Sequence, residues 1–129
     1  MNIDNKLLED LLNNAAENPR LRVNLDLRTS SNDNSQRMLN ALLPGTQVAI
    51  HRHPKSTEDV FLLKGRIDEI IFNDAGEEIE RYSLCPAKGI YGCEIPLGAW
   101  HSIEVYEPSV IFEAKDCRYG EDGSEFFPI

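Results

Sequence analysis

Turn-forming residues break this chain at intervals too short for helices. Pro44-Gly45, Pro54, Gly65, Asn73-Asp74-Ala75-Gly76, Pro86, Pro96-Leu97-Gly98 and Pro108 punctuate it. The segments between them, 37–43, 46–53, 58–63, 66–72, 77–84, 89–95, 100–106 and 110–115, read as strands. Upstream, Leu21, Val23, Leu25 and Leu27 alternate with Arg22, Asn24, Asp26 and Arg28, which is strand patterning too. Residues 29–35 are a Ser/Asn/Asp loop. Short strands between frequent turns predict an all-β sandwich or barrel, the jelly-roll class included.

One helix precedes them. Asp4 is a suitable N-cap for residues 5–16, where Leu7, Leu8, Leu11, Leu12 and Ala15 share one face. Asn18-Pro19 ends it. The chain is expected to be a single domain, with residues 1–19 as the helix and 20–129 as the β-barrel. Periodicity fades after Gly120, and Phe126, Phe127 and Ile129 are expected to pack back as a tail.

The formal charge of -9 argues against nucleic acid and anionic membrane as partners. The nearest basic cluster, Arg20 and Arg22 with Arg28, is diluted by Asn24, Asp26 and apolar residues. No stretch has the length of a membrane span, and the N-terminus lacks the pattern of a signal peptide, so a cytoplasmic location is expected. Cys85, Cys93 and Cys117 are odd in number and match no zinc or redox spacing, as expected of free thiols in a reducing compartment.

The three histidines carry the chemistry. On a strand, His51 and His53 project from one face with Arg52 opposite. Glu58 opens the following strand, and an antiparallel return would set its carboxylate beside the two imidazoles. His101 begins a later strand and is expected from across the barrel. Three imidazoles and a carboxylate suit one divalent ion: Fe(II), Mn(II), Ni(II), Co(II) or Zn(II). Four protein ligands would leave an octahedral ion two positions for water or a small molecule.

Spacing adds a resemblance. Gly45, five residues, His51, one, His53, four, Glu58, six and Gly65 match the first cupin motif. Pro96-Leu97-Gly98-Ala99-Trp100-His101 matches the Pro-x-Gly-x-x-His core of the second. Ile90 stands where that motif's leading glycine is expected, and Val105 where an asparagine is common. The run from Gln36 to Thr46, the segment His51 to Pro54, the run from Tyr91 to His101, and Phe112-Glu113-Ala114-Lys115 followed by Tyr119 resemble the WbuC-type cupin metalloproteins. Together these cover most of residues 21–128. The resemblance implies a cupin double-stranded β-helix and a metal held by His51, His53, Glu58 and His101. It also implies a link to bacterial O-antigen and other surface-polysaccharide genes, without fixing a reaction. Homodimers are common among cupins, and the apolar helix could contribute to one.

Other groups are candidates for acid–base work. Tyr91 and Glu94 precede His101, and Glu113 and Lys115 share one face of the last strand. Arg37 could pair with an anionic substrate. Trp100 suits core packing or sugar stacking, and Cys93 reads as inert. Three functions are consistent with this set: a metalloenzyme acting on a sugar or sugar nucleotide, a non-catalytic module that uses the metal to bind a small ligand, and an Fe(II) dioxygenase. A metal-independent sugar epimerase is disfavoured, because such proteins lack the full histidine and glutamate set.

Overall fold

The computed structural model describes residues 1–118, 120–121 and 123–128 of the chain. Helix α1 spans Asn5–Glu17. Asp4, in extended conformation, caps it by accepting from the Leu7 amide at 3.0 Å. Asn18 is extended again and stops it. Leu8, Leu11, Leu12 and Ala15 are buried and pack on Leu39, Ala41 and Val110. The leucine face is thus covered by the chain's own sheet, and a second copy of the chain would need a different surface.

Ten strands follow: β1 Arg22–Asp26, β2 Gln36–Leu42, β3 His51–Arg52, β4 Glu58–Lys64, β5 Ile67–Phe72, β6 Glu78–Leu84, β7 Gly92–Ile95, β8 Trp100–Val105, β9 Ser109–Lys115 and β10 Glu125–Phe126. They form two antiparallel five-stranded sheets, β1-β2-β9-β4-β7 and β10-β3-β8-β5-β6. Alternation gives each sheet an apolar inner face. Leu42, Val60, Leu62, Ile95 and Ile111 of the first meet Ile67, Ile71, Leu84 and Val105 of the second. The architecture is the cupin jelly-roll barrel with one short N-terminal helix.

Gly65 makes one connection possible. Its φ is +96°, and a Cβ there would lie 2.1 Å from Ser109 Oγ. The turn Asn73–Gly76 is held by Asn73 Oδ1, which accepts from the Ala75 and Glu77 amides.

Three segments differ from expectation. Of 46–53, only His51–Arg52 joins a ladder. The carbonyls before it are taken by other donors: Gln47 O by Arg22, Val48 O by Ser102 Oγ and Ile50 O by the Phe127 amide. Pro86–Lys88 forms a 3-10 turn rather than an open loop. Pairing of the next strand begins at Gly92, because Gly89 is left-handed at φ 79°. The tail does return: β10 pairs with β3, and Phe127 meets Trp100 edge-on at 5.1 Å. The expectations for Tyr119 and Ile129 lie outside the described residues. Among the described residues, no helix is long and apolar enough to cross a membrane.

Candidate metal centre

The two-residue period of β3 sets His51 and His53 on the inner side. His101 is the direct partner of His51 across the β3–β8 ladder. This corrects the sequence expectation, which exchanged the roles of the other two groups. His101 is the same-sheet neighbour, whereas Glu58 comes from the opposing sheet. The reason is topological: the connection from His53 to Glu58 crosses between sheets instead of forming a hairpin.

The ring centroids of His51 and His101 are 4.2 Å apart, with His53 at 5.0 and 5.2 Å from them. One nitrogen from each ring can be chosen so that all lie within 4.8 Å of one another. Each Nδ1 is already engaged. His51 Nδ1 meets Ala49 O at 2.8 Å, His101 Nδ1 meets Ala99 O at 2.9 Å, and His53 Nδ1 meets Ser124 Oγ at 2.8 Å. Such contacts fix ring orientation and leave Nε2 as the ligand atom. Among the described residues, His101 Nε2 is buried with no hydrogen-bond partner, an uncompensated cost unless something binds it. The donor chemistry and spacing fit a divalent transition ion, so the three-histidine group could hold a metal.

Glu58 Oε2 lies 3.0 Å from His53 Nε2, and Lys115 Nζ lies 3.8 Å from the same oxygen. Burial works against this carboxylate, but the His53 hydrogen bond and the nearby His101 and Lys115 outweigh it and hold it at about 2. Burial, with His101 beside it, lowers His51 to about 4, and burial also lowers His101. Both rings are therefore neutral at physiological pH, the form that binds metals.

Behind the histidines is a cavity of about 170 Å³ lined by His51, His101, Glu58, Glu69, Glu113 and Asn40, among others. Asn40 Nδ2 donates to Glu113 Oε1. Burial and the Glu58 charge push Glu113 up to about 8. Burial, with Glu58 and Glu113 nearby, raises Glu69 well above the carboxylate range. An outer vestibule of about 740 Å³ shares His51 with this cavity and reaches His53 and Lys115.

The remaining candidates separate clearly. Glu113 lines the cavity, and Lys115 is buried against Glu58 and His53. Tyr91 is 62% exposed, and Glu94 is exposed beside Asp59. Arg37 is paired with Asp33 at 2.9 Å and borders neither the cavity nor the vestibule. Trp100 is buried beneath Arg52, whose guanidinium carbon lies 4.3 Å from the ring centroid, and its Nε1 donates to Asp74. It offers no open face to a sugar. Burial, with Glu69 nearby, pushes the Cys93 thiol up to about 12, so it is no nucleophile at neutral pH. All three cysteines are free. Sequence reasoning missed Glu69 and Asn40. The signal for Glu69 was present, since in Ile67-Asp68-Glu69-Ile70-Ile71 it alternates with Ile67 and Ile71 on the apolar face.

The fold is that of cupin proteins. Similar solved structures include an oxalate oxidase in complex with the substrate analogue glycolate, at 18% identity and TM-score 0.62 over 84% of this chain and 56% of that one. A cupin-2 domain from Rhodospirillum rubrum matches at 16% identity and TM-score 0.62 over 84% of this chain and 66% of that one. The capsular polysaccharide assembling protein CapF from Staphylococcus aureus matches at 19% identity and TM-score 0.60 over 75% of this chain and 27% of that one. The chain thus spans little more than half the length of the oxalate oxidase. At these identities the likeness establishes the fold. No curated protein matches the chain. The chain belongs to the DUF6016 family, a domain of unknown function, whose sequence model matches residues 3–84. That span contains His51, His53 and Glu58 and ends before His101.

Proposed function

We propose that this chain is a metal-dependent cupin of the WbuC type, in which His51, His53, His101 and Glu58 hold one divalent ion of Zn, Fe, Mn, Ni or Co. The observation that carries the reading is the buried Nε2 of His101, without a partner among the described residues, beside two further imidazoles whose Nδ1 atoms are already occupied. A bound ion would supply Lewis-acid polarisation to a carbonyl or hydroxyl oxygen.

The chain's own residues prepare for this. His53 Nε2 is hydrogen-bonded to Glu58, and Ser124 Oγ lies 2.8 Å from Nδ1, where a hydroxyl can either donate or accept. Lys115 balances the Glu58 charge. Glu113, protonated at neutral pH, is hydrogen-bonded to Glu58 and accepts from Asn40, so the two carboxyl groups share one proton at the cavity wall.

Paired carboxyl groups and an amide around a small cavity suit a hydroxyl-rich ligand. The reading therefore extends to a sugar or sugar nucleotide in bacterial surface-polysaccharide metabolism, in a cytoplasmic homodimer. CapF, a capsular polysaccharide assembling protein of the same fold, supports that direction. A second reading, a non-catalytic ligand-binding module, is favoured by the exposure of Tyr91 away from the cavity.

Calorimetric titration of a chelator-stripped sample tests the metal, followed by thermal melts of the loaded protein with a panel of sugar nucleotides. One equivalent of metal and stabilisation by one sugar class are expected. Failure to bind Zn(II), Mn(II), Fe(II), Co(II) or Ni(II) would remove the reading.

A further inference from the structure

Two arginines at the entrance of the barrel remain unexplained by the metal. Arg20 and Arg22 line the vestibule, and Arg22 also lines the inner cavity with His51, His101 and Glu58. The chain carries 22 acidic residues against 13 basic ones, so an arginine here would be expected to find a carboxylate. Among the described residues, neither does. Arg22 Nη1 instead donates to Gln47 O at 2.8 Å and Thr46 Oγ1 at 3.2 Å. Those bonds use one edge of the guanidinium and hold it in place, leaving the three N–H donors on Nε and Nη2 for something else.

The surrounding backbone is built to hold this arrangement. Thr46 Oγ1 also donates to Arg20 O at 2.7 Å, and the Arg20 amide donates to Asn18 Oδ1 at 2.8 Å. Leu21, between the arginines, has φ 57°, the single positive φ at a non-glycine among the described residues. A leucine in the left-handed region costs roughly 1 kcal/mol, and such strain persists where the surroundings enforce it. The two positive charges are close enough for Arg20 to lower the pKa of Arg22, after the larger effect of burial. Holding like charges together is unfavourable without an anion.

We infer that Arg20 and Arg22 form an oxyanion site that takes the phosphate or carboxylate group of a small molecule whose uncharged, hydroxylated end reaches the histidines. The orientation follows from charge. The charged Glu58 carboxylate lines the inner cavity and disfavours an anionic end there, whereas Arg20 and Arg22 line the vestibule. The inner half of this statement rests on the metal reading, and the oxyanion site itself does not.

Calorimetry on the 129-residue chain, metal-stripped and Zn(II)-loaded, separates the two. The probes are inorganic phosphate, glycerol 3-phosphate, glycerate and glycerol. Phosphate is expected to bind the stripped protein and to weaken as salt rises. Affinity is expected to fall about tenfold or more in Arg20→Gln and in Arg22→Gln, with Arg22→Lys between them and wild type. Glycerol 3-phosphate or glycerate should bind the loaded protein more tightly than glycerol, and the better of the two identifies the anion. Arg20→Gln is exposed and keeps the test open if Arg22→Gln fails to fold. Equal phosphate affinity in wild type and Arg20→Gln, no anion binding to either form, or glycerol binding as tightly as both anions would overturn the inference. Arginine-dependent phosphate binding in a chain that takes up no metal would support this site and remove the metal reading alone.

Discussion

Removing the hydroxyl of Ser124 should weaken the metal site without weakening the fold. His51 and His101 are aimed by the backbone carbonyls of Ala49 and Ala99, which no side-chain substitution deletes. His53 is aimed by Ser124 Oγ at 2.8 Å, from a tail residue far away in sequence. A neutral hydrogen bond contributes about 0.5–1.5 kcal/mol. Loss of a group that orients a metal-ligating histidine typically costs 10–100-fold in affinity, or about 1.4–2.7 kcal/mol. Ser124 is exposed, so Ser124→Ala should change stability of the metal-free protein by no more than about 0.5 kcal/mol. The assay is competition for Zn(II) against a chromophoric chelator. The expected result is a Kd raised by roughly 10–100-fold in Ser124→Ala, with recovery in Ser124→Thr, which keeps the hydroxyl. Wild-type affinity in Ser124→Ala, or equal weakening in Ser124→Thr, would refute the positioning role.

Three further outcomes follow from the geometry. Gly65→Ala should cost at least about 2 kcal/mol, read as a lower denaturation midpoint, because the position is left-handed and a Cβ would meet Pro108 O at 2.5 Å. Leu39→Ala, fully buried beneath α1, should cost about 2–5 kcal/mol while leaving metal stoichiometry unchanged. In chelator, the melting temperature should fall on both sides of a maximum. Glu113 is raised from 4.5 to about 8, so the folded state binds the extra proton and its stability contribution is lost progressively as pH rises from 4.5 to about 8. His51 is lowered from 6.5 to about 4, so the unfolded state binds the extra proton and stability is lost as pH falls from 6.5 towards 4. Glu113→Gln should flatten the fall between pH 6.5 and 8, where the His51 contribution is already complete, measured by melts across that range.

Much of this was legible in the residues. Turn chemistry located the strands because Pro fixes φ and Gly admits positive φ, and Asp4 capped α1 as its side chain dictates. The pairing of His51 with His53 needed only the two-residue period of a strand. What sequence does not encode locally is which strand lies beside which. Glu58 is five residues from His53 yet enters from the other sheet, while His101, forty-eight residues away, is a ladder neighbour of His51. The stretch 46–50 has strand composition but spends its carbonyls on Arg22, Ser102 and Phe127, contacts invisible before folding. Arg22 read as part of a diluted basic run. Its register opposite Leu42 turns it towards the barrel interior, which gives it a place at the site. Arg37, one residue before Met38, falls on the opposite face and pairs with Asp33.

The central claim is that the three imidazoles and Glu58 hold one metal ion. Elemental analysis of the 129-residue chain purified without added metal, beside His101→Ala and Glu58→Gln, tests it most directly. About one equivalent of a single first-row divalent ion is expected in the wild type, with most of it lost from both variants. A wild type that carries no such ion and takes none up on titration, or a His101→Ala variant with full metal content, would contradict the assignment.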